Sequence, residues 1–535
     1  MRENLMVEQQ YFIGVDVGSA SVRTAVFDQH GKRHAFSARP IQQFHPKTDF
    51  VEQSSTDIWA QVCATVREAV ALANINPIDV KSIGFDATCS LVAVATEGRP
   101  LSVAENGNPE HDIIMWMDHR AIKEAITINQ TNDPALCYVG GEISPEMELP
   151  KILWLKNHFP QRYQDIWRFF DLADFLAWKA TAADVASICT LTCKWNYLAH
   201  QKQFSEKLLY NVGLEDLTNK VPSTIIELGE KAGYLTVETA KDFGLHTEVI
   251  VAGGIIDAHA GGLALAGADP EGSLAIISGT SNCHMIVSPH PVMVPGVWGP
   301  YFGAMLPGYW LNEGGQSAAG ALVEWSIRQH NNWLELEIEA KESGHHYYQL
   351  LNEAVAQLEK QEKYPTAQLH ILDDHHGNRS PRANPNAKGM VSGLTLADSR
   401  DALARHYLAT LQSIAYGTRH IIDALIEAGH KINRLVICGG ATKNPLWLRE
   451  YANATGREIH LTQEEDAVNL GSALLGAVAC GSFTDFAQAA KSMVREGNII
   501  KPEKETFSFH QAKYQVYLQM YRDQQRYNEI MQTGD

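Results

Sequence analysis

Two widely separated stretches of this sequence follow one plan. YFIGVDVGSASVRTAVFD (residues 11–28) runs through β-branched and aromatic residues into a Gly/Ser turn and out again, and GSLAIISGTSNCHMIVS (residues 272–288) does the same around Gly-Thr-Ser. A chain that repeats a hairpin with a polar, glycine-bearing tip is expected to fold as two related lobes. Length agrees, because 535 residues with 45% apolar composition exceed what one core organises and can fill two.

Helix and strand alternate between and beyond the hairpins. Ile58, Val62, Val66 and Val70 fall at helical spacing ahead of the strand-like VKSIGFDATCSLVAVA, and EVIVAGGIIDAHAGGLALAG passes from strand through a glycine-rich turn into helix. Near the end, INRLVICGGATKNPLWLREYANATG repeats strand, Gly-Gly turn and helix, and an Ala/Gly-rich helix follows around NLGSALLGAVACG. This pattern predicts an α/β protein with a boundary near residue 265, giving domains over 10–265 and 266–500. A polar, Gln/Tyr-rich tail over 501–535 is expected to supply a docking helix from Phe507 onward.

Charge narrows the partners. With 44 basic and 62 acidic residues the net charge is −18, which opposes binding to nucleic acid or anionic lipid. The first ten residues lack a signal-peptide core, and the apolar stretch around 248–268 is broken by Asp257, His259 and glycines, so a soluble, cytoplasmic protein is expected. Eight scattered cysteines predict reduced thiols. Cys189 and Cys193 stand four apart, without a His or second Cys pair nearby in the chain to complete a zinc site. His345-His346 and Asp373-Asp374-His375-His376 read as solvated polar clusters.

Three loops have the composition of phosphate and nucleotide cradles. In Asp16 to Arg23, Gly18 permits a sharp turn with exposed N–H groups, Ser19, Ser21 and Arg23 offer donors to phosphate oxygens, and Asp16 is a candidate Mg2+ ligand. An ordinary polar hairpin tip reads the same way. Gly279, Thr280 and Ser281 occupy the corresponding turn of the second hairpin, so the two tips could clasp a triphosphate between them. At Gly439, Gly440, Ala441, Thr442, Lys443 and Asn444, small residues after a buried strand allow a flat ring such as adenine close to the backbone, although a plain strand-to-helix turn has the same composition. Asp257, flanked by apolar residues and glycines, is either a general base for a substrate hydroxyl or a helix N-cap.

In this order the motifs resemble the FGGY carbohydrate kinases over residues 10 to 485. The resemblance implies two actin/hexokinase-type (ribonuclease H-like) ATPase domains with a catalytic cleft between them, and ATP and Mg2+ as cofactors. It makes Asp16–Arg23 and Gly279–Ser281 the phosphate loops, Gly439–Asn444 the adenosine loop and Asp257 the base. Gly84 to Leu91, with Thr88, Cys89 and Ser90, and Gly377 to Pro381 with Asn384-Pro385, are similar to the ribulokinase branch. The Arg-Glu pair of glycerol kinases and the Gln-Met-His run of xylulokinases are missing. By local match Lys194 and Glu313 resemble sugar-contacting residues, Gly320 lies where a helix approaches ATP, and Trp116-x-Asp118-x-Arg120 resembles a segment beside the pocket. A solvated lysine, a capping glutamate and a structural Asp/Arg ion pair are the alternatives for these positions. Many members carry two threonines, or Thr-Ser, at Ser19-Ala20, so one hydroxyl is absent here.

The expected reaction is transfer of the γ-phosphoryl group of Mg-ATP to a primary hydroxyl of a ketopentose, D-ribulose foremost, with L-ribulose and ribitol open. Sugar and ATP are the expected partners, with a homo-oligomer left open. An actin-like ATPase switch and a catalytically silent sugar sensor are the rival readings.

Overall fold

The computed structural model describes residues 9–532. Its first sheet begins with the hairpin β1 (Tyr11–Val17) and β2 (Ser21–Asp28), continued by β3 (Arg33–Pro40). On the other side of β1 lies β4 (Val80–Ala87), then β5 (Lys231–Tyr234), β6 (Ile250–Ala252) and β7 (Ile255–Ile256), giving the order β5-β6-β4-β1-β2-β3 with β7 also on β4. The second sheet contains β8 (Ser273–Ser278), β9 (Asn282–Ser288), β10 (Trp298–Phe302), β11 (Trp310–Gln316), β12 (Arg434–Gly439), β13 (Ile459–Thr462) and β14 (Glu496–Ile500). Its order is β10-β11-β9-β8-β12-β13-β14.

Apart from β7 in the first and the extra edge strand β10 in the second, the two sheets have the same strand pattern. In each, a hairpin and a third antiparallel strand sit beside two parallel strands, with a final antiparallel strand at the edge. The repeated hairpins thus seed matching lobes. Inner strands such as β1 are buried throughout, which is why they read as continuous apolar runs instead of alternating ones.

Helices cover the sheets. They are α1 (Ser55–Ala73), α2 (Ile188–Lys194), α3 (Asp257–Ala266), α4 (Gly320–Arg328), α5 (Arg400–Glu427), α6 (Pro445–Thr455), α7 (Ala467–Ala479) and α8 (Phe507–Gln532). The small-residue helix α7 crosses back onto the first sheet and against α3. A Cβ added at Gly14 would lie 2.0 Å from the Asn469 carbonyl oxygen, one at Gly84 2.0 Å from that of Ser472, and one at Gly471 1.9 Å from that of Ala260. Glycine is required there by contact distance, because the backbones touch.

The tail forms the expected docking helix. Tyr514 and Tyr517 of α8 are buried, donating to Asp423 Oδ2 and Asp373 Oδ1, each at 2.8 Å. The expectation of a solvated Asp373-Asp374 cluster is therefore corrected: both side chains are buried, and Asp374 accepts from Asn378 at 2.7 Å and pairs with Arg382 at 3.0 Å. Burial adjacent to the tail helix, invisible in local composition, decides their environment.

Candidate active site

Catalytic candidates collect where parallel strands end. Asp16, next to last in β1, lies beside its register partner Asp86 on β4, and Asp257 follows β7, which pairs with the end of β4. Across from them, Ser278 at the end of β8 is in register with Gly439 on β12, so the second hairpin tip and the Gly-Gly turn are neighbours.

At the first tip, Gly18 N–H donates to the Ser21 carbonyl at 3.0 Å and Arg23 pairs with Asp16. The Trp116 indole Nε1–H donates to Ser19 Oγ at 3.0 Å, while Gln43 and Gln53 donate to the Ser19 carbonyl at 2.6 and 3.2 Å. Asp118 and Arg120 form a fully buried ion pair that also takes in Glu52 at 2.9 Å, a structural role. At the second tip, Gly279 N–H donates to the Ser281 carbonyl at 2.9 Å, and Thr280 remains exposed. Gly320 N–H donates to the Gly279 carbonyl at 3.0 Å, and a Cβ at Gly320 would stand 2.6 Å from that oxygen. The start of α4 is thus pressed against the tip.

Gly439 adopts φ +91°, and a Cβ there would meet the Ser278 carbonyl oxygen at 2.3 Å. Both facts demand glycine and bring the Gly440-Ala441 turn against the second tip. Asn444 has a different task. Its side chain faces inward, capping α6 and donating to Tyr407 at 2.6 Å, with Asn352 donating to it at 3.1 Å. Asp466, unnoticed in the sequence, caps α7 and is close enough to act electrostatically on Asp16, Arg23 and Cys438.

The acids of the first lobe resist ionisation. Burial, with further contributions from Asp466 and Asp257, raises Asp16 to about 7 despite Arg23. Burial and Asp16 push Asp86 well up, against a hydrogen bond from Ser472. Asp257 opens α3 as its first helical residue, so it is not the N-cap; that position belongs to Ile256. One of its oxygens accepts from Ala258 N–H at 2.7 Å, and burial raises its pKa although Ala258, His259, Arg23 and Lys194 all favour the anion. A carboxylate in the field of both Arg23 and Lys194 stands between the first hairpin tip and the side bearing Lys194.

That second side is a cationic-aromatic pocket. Lys194, far from solvated, is buried at the end of α2, with its Nζ 4.5 Å from the centroid of the Trp298 ring. Arg379 stacks on the same ring at 3.9 Å and donates to Glu313 Oε1 at 2.7 Å. Burial opposes charge on Lys194, but Cys89, Glu313 and Tyr301 hold its pKa well above the ordinary lysine value. Burial likewise works against ionised Glu313, and Lys194, His259 and Arg379 outweigh it, holding the carboxyl well below its usual range. Glu313 lies within β11 and caps no helix. Cys89 is buried, its thiol pushed up to about 12, and Thr88 Oγ1 lies 3.3 Å from Ser90 Oγ. Arg379 was visible only as part of a motif, and Trp298 and His259 carried no signal, because long-range pairing assembles this pocket.

His259 also changes the reading of the cysteine pair. The sequence offered no nearby histidine, but α3 brings the imidazole Nδ1 to 3.3 Å from Cys189 Sγ and 3.8 Å from Cys193 Sγ. Although burial alone would raise the Cys189 thiol, Cys193 and His259 draw it down to about 5. Against its own burial, His259 is raised to about 9 by Cys189 and Glu313.

Comparison with known proteins gives the lineage. The N-terminal domain of the FGGY family of carbohydrate kinases matches residues 11–264, and the C-terminal domain matches residues 274–480. A human FGGY carbohydrate kinase domain-containing protein is 43% identical over 98% of each chain. A protein from Saccharomyces cerevisiae named as a D-ribulokinase is 37% identical, covering 89% of this chain and 73% of its own. The solved structure of a xylulose kinase from Rhodospirillum rubrum superposes with a TM-score of 0.80 at 21% identity over 97% of this chain and 99% of that one, which establishes the two-domain actin/hexokinase-like fold. No helix among the described residues is long and apolar enough to cross a membrane. The chain belongs to the FGGY family of carbohydrate kinases.

Proposed function

We propose that this carbohydrate kinase phosphorylates a ketopentose at a primary hydroxyl, converting D-ribulose to D-ribulose 5-phosphate with ATP. The observation that carries the mechanism is the place of Asp257, within the fields of Arg23 on one side and Lys194 on the other. A carboxylate with a raised pKa is suited to accept the hydroxyl proton as oxygen attacks the γ-phosphate.

The remaining residues have separable tasks in this reading. The Lys194 ammonium donates to an acceptor oxygen, which suits a ketose carbonyl or a hydroxyl, and Glu313 accepts from hydroxyls while fixing Arg379. Thr88 and Cys89 directly follow β4, on the side this reading gives to the sugar. The hydroxyls of Ser19, Ser21, Thr280 and Ser281, on the turns made by Gly18 and Gly279, face the phosphates in this reading, and Gly439, Gly440 and Ala441 leave room for adenine. Asn444 supports that loop from behind. Asp16 and Asp86 fit a divalent cation: they are adjacent, fully buried carboxylates, and Arg23 is the sole ion-pair partner of the two among the described residues. Asp16 and Asp86 would hold Mg2+, which would supply charge neutralisation for the phosphates.

D-Ribulose is favoured by the Thr88-Cys89-Ser90 run and by the name of the yeast relative; L-ribulose and ribitol are the nearest alternatives. The test is ADP release with Mg-ATP against D-ribulose, L-ribulose, D-xylulose, ribitol and glycerol, with Asp257→Asn as control. Turnover on D-ribulose that disappears in the variant supports substrate and base together. Turnover only on another sugar replaces the substrate, and equal ADP release without sugar favours a nucleotide switch.

A further inference from the structure

The wholly buried helix α2 sets Cys189 and Cys193 one turn apart, and α3 lays His259 against both. All three side chains are 0% exposed, and the two sulfurs and one ring nitrogen lie within 4.8 Å of one another. For a tetrahedral ion with metal–sulfur bonds of about 2.3 Å and metal–nitrogen bonds of about 2.0–2.1 Å, the nitrogen-to-sulfur edge is about 3.6 Å. The observed separations, 3.3 and 3.8 Å, straddle that edge.

The other ring nitrogen gives an independent indication. His259 Nε2 lies 3.1 Å from Glu313 Oε2, so the ring donates outward to a carboxylate and leaves Nδ1 facing the sulfurs. A carboxylate behind the imidazole is the arrangement that fixes the tautomer and orientation of a metal-ligating histidine. We propose that Cys189, Cys193 and His259 form a site for one thiophilic d10 cation, Zn2+ or Cu+. Soft sulfur donors exclude the Mg2+ that suits the carboxylates of the phosphate side. Two thiolates and a neutral imidazole around Zn2+ sum to zero charge, which limits the cost of burying them. The ion ties α2, which ends in Lys194, to α3, which begins with Asp257, and so fixes the spacing between those two residues.

The test uses the full chain, reduced and stripped of metal with a chelator. Zn2+ is titrated against a chromophoric chelator and Cu+ against bicinchoninate, and Co2+ is added to read thiolate-to-metal charge transfer. The expected result is one equivalent of Zn2+ or Cu+, a charge-transfer band with Co2+, and a higher melting temperature on binding. Affinity should fall at least tenfold in Cys189→Ser and in Cys193→Ser, and stay unchanged in Cys137→Ser, which alters an exposed cysteine. Absence of saturable binding by either ion, or binding that survives in the Cys189→Ser/Cys193→Ser double variant, overturns the proposal. Should the variants fail to fold, as judged by circular dichroism, the wild-type protein decides: no thiolate-to-Co2+ band together with no Cu+ withdrawn from bicinchoninate means no site.

Discussion

Single residues in this protein are governed by what burial does to charge. With Asp257 as the proposed base, the acidic limb of kcat/KM is expected to lie above the ordinary aspartate range, because burial raises its pKa and a base works only when deprotonated, so rate is lost as pH falls through that pKa. A pH profile with its acidic limb at the ordinary aspartate value would remove Asp257 from that role. Asp16 and Asp86 carry the same sign into stability. Their folded-state carboxyls hold protons more tightly than those of the unfolded chain, so the stability they contribute is present at low pH and lost as pH rises from about 4 toward the folded Asp16 value of about 7. Asp86→Asn should therefore raise the melting temperature at pH 8 while depressing kinase turnover; a lower melting temperature at pH 8 would contradict this electrostatic account. Glu313→Gln leaves Lys194, Arg379 and His259 facing one another without their shared anion. Removing one partner from a buried charged set costs about 3–5 kcal/mol, and the sugar KM should rise more than tenfold with little change in the KM for ATP. Legibility at this scale was uneven. Asp16, Asp257 and the glycine turns could be named as candidates from the sequence because each lies in a short local motif. Trp298, His259 and Arg379 did not, since β10, α3 and a distant loop meet only after folding.

Among elements, α7 is the clearest case of sequence read correctly for local structure and incompletely for its role. Its Ala/Gly-rich composition predicted a helix; it did not say that the helix would lie on the opposite lobe's sheet, with its backbone against Gly14 and Gly84. The small residues are there because two backbones meet, and nothing local distinguishes that from a flexible helix. Gly471→Ala places a methyl group 1.9 Å from the Ala260 carbonyl oxygen. Overpacking of this kind costs about 1–3 kcal/mol or more, so the variant should melt several degrees lower or accumulate as insoluble protein, with wild-type melting excluding the close contact. The tail helix was legible as a helix but not as a support. Through Tyr517 and Asp373 it reaches Gln316, which donates to Asp373 at 2.8 Å and accepts from Asn282 at 2.8 Å, at the base of the second hairpin tip.

At the scale of the whole molecule, the repeated hairpins account for the architecture. Each sheet places its polar tip at the end of a hairpin beside parallel strands, so duplication alone yields two donor-rich tips, and the α3–α7 crossing joins the lobes that carry them. Water is the competing acceptor for a phosphoryl group held by such tips, and a kinase avoids hydrolysis only by completing its site after sugar has entered. Sugar is therefore expected to act as more than a nucleophile. A sugar analogue lacking the accepting primary hydroxyl should narrow the cleft, seen as a smaller radius of gyration in solution scattering with ATP present, and should change the slow hydrolysis of ATP without itself being phosphorylated. Trp116 links the two events, because its indole N–H holds Ser19 of the first tip while its backbone N–H donates to Ser90 Oγ at 3.2 Å, beside Thr88 and Cys89. Trp116→Phe removes one hydrogen bond, worth about 1 kcal/mol. It should weaken ATP binding several-fold and blunt the sugar's effect on hydrolysis, whereas an intact sugar effect in this variant would place the link elsewhere in the cleft.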